Sequence, residues 1–520
     1  MDAAGKLTAI SRSFGPRAAR AKGRLLDELA ATPRISARDA RLLGETADFV
    51  RAYPDDPRTL RAARGLIRRL PPTDRVYAYS YAVLVRLVRL FPGRLEIAWD
   101  DVEDESTLLD VLDLLVLPGE AAGLHDVRTS TRDWFAAVRT RRETTDLEVL
   151  IGLLERSALP PDVRVFLFEI CDLQIRYRGP GRAAVEMPGG RTRFQKEVID
   201  RERFPLAPII RRPPPPATRG GRPVIDIALQ ALCARSLEIY PLIYANPSDV
   251  RVADCGRGLR VALIGVLPEW RSPLETLYFF LVVKNGAPVA YGPAGVFLGC
   301  CEMGINLFPE FRGGEIRHIY AQFMRVIHHR LGADYFFLTR YGMGEDNPDA
   351  IRSGAFWFYR KLGFQPTSPA VEMLACDEEA RMAAEPGYRS DRRMLRRLSH
   401  TEAYFDLSGG KRRPFDFGAL ALAESRFVAA RFSGDRRLAE RRCAARLSRL
   451  LGIDRGGREL RGLATTLCMI PDLPDWSRRD KERLAAILRA KGAPSEARAA
   501  RLLKAHPRLE SALRGLAGGL

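Results

Sequence analysis

The chain of 520 residues is more than three times as long as the ~150 residues of an ordinary domain, so we expect two to four domains. Hydrophobic residues make up 46% and charged residues 28% of the chain, which is typical of globular proteins and excludes a collagen-like or wholly disordered chain. Apolar runs such as residues 277–283 are much shorter than the ~18 residues of a membrane span, and no apolar signal segment follows the N-terminus. We therefore expect a cytoplasmic protein with no membrane span.

The formal net charge is +19, from 83 basic and 64 acidic residues. Only nine of the basic residues are lysines, and such an arginine-rich, lysine-poor composition is typical of GC-rich bacterial coding. The charge is therefore weak support for nucleic-acid binding, and the sequence contains no zinc-knuckle or RNP motif. Because a basic surface equally attracts an anionic cofactor or an acidic carrier protein, nucleic acid is the least favoured partner.

The cysteines and histidines form neither a disulfide pattern nor a metal-binding one. The eight cysteines include no CxxC pair, and the six histidines include no HExxH motif. His328 and His329 are neighbours that project from different faces of a helix, so they are poorly placed to share a metal. We expect buried thiols in a reducing compartment and no metal cofactor.

Before residue 205 the apolar residues recur at intervals of three and four, for example across residues 76–91, which predicts helices with one buried face. The predicted helices are residues 37–53, 57–70, 76–91, 108–117, 131–142, 147–157 and 161–176. We therefore expect an α-helical domain over residues 1–204. Residues 205–223 contain four consecutive prolines and a Gly-Gly pair, which sustain neither a helix nor a central strand and predict a proline-rich linker.

After the linker the pattern changes to short apolar segments separated by turn residues, which predicts strands. The predicted order is strands 259–267, 276–283, 288–298 and 301–308, helix 314–331, strand 334–339, helix 350–362 and strand 370–376. This order predicts an α/β (α+β) domain over residues 224–376, with a mixed sheet and helices. Further helices at 420–430, 438–451, 478–491 and 495–506 predict an α-helical region over residues 377–520.

Two short motifs lie within this α/β region. Residues 308–317 read Phe-Pro-Glu-Phe-Arg-Gly-Gly-Glu-Ile-Arg between a strand and a helix, and residues 358–364 read Phe-Tyr-Arg-Lys-Leu-Gly-Phe at the end of a later helix. Both motifs and the order of elements resemble the GNAT superfamily of acyl-CoA-dependent N-acyltransferases. The resemblance covers roughly residues 225–376, under a third of the chain, and it implies a GNAT-like mixed sheet.

The resemblance implies a site for acyl-CoA at the start of the helix after residue 312. Backbone N–H groups at a helix N-terminus suit the pyrophosphate of coenzyme A. The implied cofactor-binding residues are Phe308, Arg312, Gly313, Gly314, Glu315, Ile316 and Arg317. The resemblance also implies that Tyr359 lies near the thioester sulfur and that Glu302, on the preceding strand, acts as general base. Gly363 would end the helix in a left-handed conformation, with Phe364 packing back on it.

The sequence also departs from the family pattern, and these departures leave alternatives open. Two small positions of the family's turn are occupied by Glu315 and Arg317, and a carboxylate there would repel a pyrophosphate. The carboxylate of Glu315 would instead suit the helix N-terminus as an internal anion mimic. Tyr359 has a competing explanation as core packing beside other aromatic residues, and Glu302 has one as an exposed polar face.

From these observations we expect an N-acyltransferase that moves an acyl group from acyl-CoA, or from an acyl carrier protein, to an amine-bearing acceptor. The alternative is a non-catalytic GNAT-like interaction module in which Glu315 plugs the phosphate site. A basic nucleic-acid-associated protein is a third and less favoured hypothesis.

Overall fold

The computed structural model describes residues 3–518 apart from 34, 127–129, 142, 180–181, 197–204, 239, 313, 411 and 455–456. The fold is mixed α/β, as predicted, and the chain forms two compact units. The first unit comprises Met1–Val198, Pro223–Tyr244 and Asn285–Pro288. The second unit comprises Ile199–Arg222, Ala245–Lys284 and Val289–Leu520.

The first part of the chain is mainly helical. Its elements are α1 (Ala3–Ile10), α2 (Pro16–Ala31), α3 (Ala37–Ala52), α4 (Pro57–Arg69), β1 (Thr73–Tyr77), α5 (Tyr81–Leu90), β2 (Leu95–Ile97), α6 (Ser106–Asp113), α7 (Pro118–Leu124), α8 (Thr131–Val138), α9 (Asp146–Arg156), α10 (Pro161–Ile170) and β3 (Ile175–Gly179). Next come α11 (Leu206–Ile210), β4 (Ala217–Arg219), α12 (Arg222–Cys233) and α13 (Tyr240–Ile243).

Several helices of the first unit begin at the residues that local chemistry favours. The side-chain oxygens of Ser36, Asp56 and Thr145 each accept the backbone N–H three residues later, which satisfies one of the N–H groups left free at a helix start. Apolar residues at helical spacing, among them Leu26 and Leu66, then pack α1 to α4 around one core.

The predicted helices 76–91 and 161–176 are each partly wrong. Residues 73–77 form β1 and residues 175–179 form β3, and the antiparallel sheet has the order β1-β3-β2. Along β3, the buried Ile175 and Tyr177 alternate with Arg176 and Arg178, which is the two-residue period of a strand. The prediction extended the helical pattern across a change of period.

The remaining elements, together with α11 and β4, make up almost all of the second unit, which contains the large sheet. Its strands are β5 (Ala245–Asp254), β6 (Leu259–Val266), β7 (Thr276–Lys284), β8 (Ala287–Phe297), β9 (Cys300–Met303), β10 (Asn306–Leu307), β11 (Tyr335–Leu338), β12 (Gln365–Pro366) and β13 (Ala403–Asp406). Its helices are α14 (Ile316–Leu331), α15 (Arg340–Met343), α16 (Pro348–Ser353), α17 (Ala355–Leu362), α18 (Pro369–Ala384), α19 (Arg392–Ser399), α20 (Phe417–Phe432), α21 (Arg436–Leu451), α22 (Arg458–Cys468), α23 (Arg478–Gly492), α24 (Ala497–Lys504) and α25 (Pro507–Gly518).

The large sheet has the strand order β12-β13-β11-β9-β8-β7-β6-β5-β4, with β10 paired to β8. The four predicted strands between 259 and 308 are confirmed, although the fourth is interrupted between β9 and β10. The predicted helix 350–362 is interrupted at Gly354, whose φ of 68° is left-handed and separates α16 from α17.

Two predictions around this sheet are wrong. Residues 370–376 were predicted as the last strand, but they lie in α18, which begins at the sequence Ser368-Pro369. Ser368 accepts the N–H of Val371, and proline at the first helical position favours a helix start. The last strand is instead β13, between β11 and β12.

The second error concerns residues 205–223, which contain the short helix α11 and the strand β4 rather than linker alone. Proline at 205 is compatible with a helix start. Strand β4 lies at the edge of the sheet, where it follows the four prolines.

The predicted C-terminal helices are confirmed as α20, α21, α23 and α24. Buried residues of the C-terminal helices, including Leu447 and Leu488, form one core cluster with Phe297 and Leu298 of the sheet segment. None of the described helices combines the length and apolar character that a membrane span requires.

Helix α14 packs on the sheet through an aromatic contact. Phe280 of β7 is fully buried, and its ring centroid lies 4.1 Å from that of Phe323 in α14. Rings at this distance add a specific contact to the large apolar area that each ring removes from water.

We predict that Phe280→Ala lowers the free energy of unfolding of the second unit by about 3–4 kcal/mol, because it leaves a cavity against Phe323. Met373→Ala, at a side chain that is 66% exposed, is the control and should change stability by less than about 0.5 kcal/mol. Urea unfolding followed by circular dichroism measures both variants. Equal unfolding midpoints would show that this contact does not hold α14 on the sheet.

Candidate functional site

Two parallel strands of the large sheet, β9 and β11, run side by side until β11 ends at Leu338. Strand β9 pairs with β11 only through residues 300–302 and 335–337, in the described part of the chain. On its other side, β9 and then β10 stay paired to β8 as far as residue 307, and Phe308 donates its N–H to the carbonyl of Val289 at 3.0 Å. Because β11 ends there, the chain after Met303 has one edge without a strand partner among the described residues, and we call the space beside this edge the strand gap.

The hydrogen-bond pattern shows which backbone groups face this gap. In an antiparallel pair, alternate residues direct both backbone groups toward the partner strand. Since Phe308 bonds to β8, the backbone groups of Leu307 and Ile305 are directed to the opposite edge. The hydroxyl of Tyr320 in α14 lies 3.5 Å from the carbonyl oxygen of Ile305, in agreement with this orientation.

Tyr359 lies beside the same edge. Its hydroxyl is 2.7 Å from that of Tyr320, and the two rings pack edge to face. Burial raises the pKa of Tyr359, while the hydrogen bond with Tyr320 partly offsets this effect, so the hydroxyl stays protonated at neutral pH. Gly363 has a φ of 101°, and Phe364 packs against the Tyr359 ring, as the sequence predicted.

The turn between β10 and α14 is short and partly helical. The buried Phe308 ring stacks on Tyr291 at 4.9 Å, and residues Pro309–Phe311 form one 3-10 turn. Arg312 is exposed. Gly314 is buried and donates its N–H to the carbonyl of Phe311 at 3.0 Å. Ile316 and Arg317 are half-buried in the first turn of α14, and Gly313 lies outside the described residues.

Glu315 immediately precedes α14 and is buried. One carboxylate oxygen lies 2.7 Å from Nζ of Lys284, which is itself buried, and the other lies 2.6 Å from the half-exposed guanidinium of Arg257. Burial alone would raise the pKa of Glu315, but these two cations outweigh it and lower the pKa below its ordinary value. Toward the described residues of its own helix, the carboxylate makes no capping hydrogen bond.

The structure therefore gives Glu315 a different anchor from the one that the sequence predicted. The sequence placed its carboxylate on the helix dipole, whereas the tertiary structure supplies two cations from other strands and turns. Lys284 ends β7 and also donates to the carbonyl of Arg257 at 2.8 Å. Sequence reasoning missed both cations, because nothing along the chain links positions 257, 284 and 315.

Glu302 lies on β9 opposite Gly295 of β8, with its side chain exposed. A Cβ at Gly295 would overlap the carboxylate of Glu275, so the absence of a side chain there leaves room for that group. Burial first and the charge of Glu302 second raise the pKa of Glu275 to about 7. Partial desolvation and the Glu402 carboxylate raise the pKa of Glu302 as well.

Sequence reasoning also missed Glu275 and Tyr320, since their positions depend on strand pairing and on the packing of α14. The structure thus brings Tyr359 and Tyr320 to the strand gap, and Glu315 to Lys284 and Arg257. It places Glu302 beside Glu275, on the strand that leads into the gap. Within the described residues, no group of three or more His, Cys, Asp and Glu side chains is arranged to hold a metal ion.

Comparison of the chain with models of protein families, with curated proteins and with solved structures finds no match.

We predict that Glu315→Gln lowers the free energy of unfolding by about 3 kcal/mol at pH 7, because it leaves the Lys284 cation buried without its partner. A carboxylate with a lowered pKa contributes stability above its unfolded-state pKa, and this contribution is lost as the pH falls through the folded-state pKa. The difference between variant and wild type should therefore shrink below about pH 4.

The control is Glu269→Gln, which changes an exposed carboxylate of the same unit and should have little effect at any pH. Urea unfolding at a series of pH values measures all three proteins. A stability difference that stays constant down to pH 2 would contradict the ion-pair assignment.

Proposed function

We propose that the second unit is an N-acyltransferase of the GNAT type, which transfers an acyl group from a coenzyme A or carrier-protein thioester to an amine. The observation that carries this proposal is the strand edge after Met303, which lacks a strand partner where β11 ends and lies next to the paired hydroxyls of Tyr320 and Tyr359. An extended thioester arm can form backbone hydrogen bonds with an open strand edge of this kind.

The backbone groups at this edge suit the reacting carbonyl. The N–H groups of Ile305 and Leu307 face the gap, and fixed N–H donors of this kind stabilise the oxyanion that forms when an amine attacks a thioester. The amine nitrogen forms a bond to the carbonyl carbon, and the bond from carbon to sulfur then breaks.

Two side chains would handle the protons in this step. The attacking amine gives a proton to a carboxylate, for which Glu302 is the candidate. The departing thiolate takes a proton from Tyr359, whose hydroxyl is protonated at neutral pH. Tyr320 can then return a hydrogen bond to Tyr359, at a distance of 2.7 Å between the two oxygens.

The cation near the start of α14 that would bind the cofactor's phosphates is Arg257, whose side chain is half-exposed. A pyrophosphate at the helix N-terminus would meet this guanidinium as well as the helix dipole. An acidic carrier protein is the other donor that fits the overall charge of +19.

All eight cysteines are free, which supports a reducing, cytoplasmic location for this reaction.

A second candidate function is a non-catalytic module with the same sheet. It is favoured by the ion pairs of Glu315, because this carboxylate already occupies the two cations where a phosphate would otherwise bind. In this case the site would hold a permanent internal anion and no cofactor.

Calorimetry with acetyl-CoA and with coenzyme A separates these two functions. If the protein is an enzyme, the wild type should bind both ligands. Glu315→Gly, as long as it stays folded, should then bind them several-fold more tightly, because it removes a like charge worth on the order of 1 kcal/mol. A plugged module should bind neither ligand as wild type. If Glu315→Gly also fails to bind while remaining folded, the acyl-CoA proposal is wrong.

We predict that Tyr359→Phe lowers kcat by about a hundredfold, with the ring volume and the fold retained. The loss should be smaller at low pH, where solvent supplies the proton to the thiolate. One buried hydrogen bond is removed, so stability should fall by only about 1 kcal/mol.

Thiol release from acetyl-CoA, measured with a panel of amines across pH 6–9, checks this prediction. Tyr341→Phe, which removes an exposed hydroxyl, is the control and should keep full activity. Full activity of Tyr359→Phe at every pH would reduce Tyr359 to core packing.

A further inference from the structure

A cavity of about 940 Å³ lies within the first unit. It is bordered by residues from α3, the ends of α4 and α5, β1 and the end of β3. Small-molecule sites occupy roughly 300–1,000 Å³, so the cavity is large enough for a ligand of nucleotide size. The proposed acyl-transfer site belongs to the other unit and uses none of these residues.

The charged residues that border the cavity are mostly cationic: Arg41, Arg68, Arg75, Arg94 and Asp74. Arg41 pairs with Glu45, at 3.2 Å. The other three arginines form no ion pair with any residue in the part of the chain that the structure describes.

The one acidic side chain does not neutralise these three arginines. Asp74 lies 3.8 Å from Arg176 and 3.7 Å from Arg178, so its charge is already shared between two cations outside the cavity lining. Since positive charge on a concave wall focuses the electrostatic field, the cavity should attract anions.

An unsatisfied polar group lies behind the cavity wall at Gly179. The Tyr177 side chain is fully buried, and its hydroxyl has no hydrogen-bond partner among the described residues. This ring lies directly over Gly179, where a Cβ would overlap it, and Gly179 borders the cavity. The hydroxyl is therefore close to the cavity but is not part of its lining.

The remaining wall is apolar. Leu90 is the last residue of α5, and Phe91 follows it. The Phe91 ring packs edge to face on the Tyr177 ring, with 5.5 Å between the ring centroids. Prolines 71, 72 and 92 border the same space. An apolar wall beside a cationic one suits a ligand that has a charged end and an organic body.

We propose that this cavity binds a small phosphate ester, with its phosphate groups on Arg68, Arg75 and Arg94. The planar guanidinium presents paired N–H donors that match two phosphate oxygens at once. Three arginines without acidic partners carry more positive charge than a ligand with a single carboxylate would neutralise. This favours a ligand with two or three phosphate groups. The organic part of the ligand lies against the apolar wall that includes Leu90 and Phe91.

The test is calorimetry on the full chain with ATP and, separately, with inorganic pyrophosphate. We expect wild type to bind both probes, and the double variant Arg75→Gln/Arg94→Gln to bind them at least tenfold more weakly. Arg68→Gln should lose about fivefold. The matched control is Arg61→Gln, which removes the same charge from the exposed face of α4 outside the cavity and should change affinity less than twofold.

Circular dichroism establishes that each variant is folded, and because the Arg68 side chain is exposed, Arg68→Gln should leave the fold intact. The proposal is overturned if wild type binds neither probe at millimolar concentration, or if Arg61→Gln weakens binding as much as Arg68→Gln. It is also overturned if a single-stranded oligonucleotide binds more tightly than ATP and is lost in the same double variant, because the cavity would then belong to a nucleic-acid surface.

Discussion

The ion pairs of Glu315 fix the start of α14, and the candidate site of the second unit depends on that position. Lys284 comes from the end of β7 and Arg257 from the turn between β5 and β6, so one carboxylate joins the helix to two parts of the sheet. The second turn of α14 then carries Tyr320 to the open strand edge. Tyr320 in turn forms a hydrogen bond with Tyr359, so the position of the proposed acid depends on the buried carboxylate of Glu315.

Such a charge is costly to bury, and its retention needs an explanation. Removing one partner of a buried pair leaves an uncompensated ion, whereas an apolar replacement of the whole group is often neutral or stabilising. Stability is therefore not the only contribution of Glu315. It specifies where α14 begins, because its carboxylate joins the start of the helix to Lys284 and Arg257.

The same principle joins the C-terminal helices to the sheet in the second unit. Lys491 of α23 forms a buried ion pair with Glu496, and the N–H of Glu496 donates to Asp249 of β5 at 3.2 Å. Arg271 donates to the carbonyls of Lys491 and Ala493, both at 2.6 Å. These directional bonds set the register of the helices on the sheet, while the apolar core supplies the non-directional attraction.

The sequence by itself determined those features of this protein that depend on neighbouring residues. The strands 259–266 and 276–284, the helix α14 and the left-handed Gly363 follow from local periodicity and turn chemistry, because each is set within a few residues. The mixed α/β class follows from the order of these elements, and Tyr359 could be singled out from its motif.

Only the tertiary structure decided which residues meet. Residues 370–376 have a strand-like composition but form a helix, since Ser368 and Pro369 start one and β13 takes the sheet position. The partners of Glu315 lie 31 and 58 positions away along the chain, and no periodic pattern connects such positions. Glu275 reaches its place because Gly295 lacks a side chain. Strand pairing and contacts between residues far apart in the sequence depend on how the strands and helices pack. Patterns among neighbouring residues carry no information about this packing.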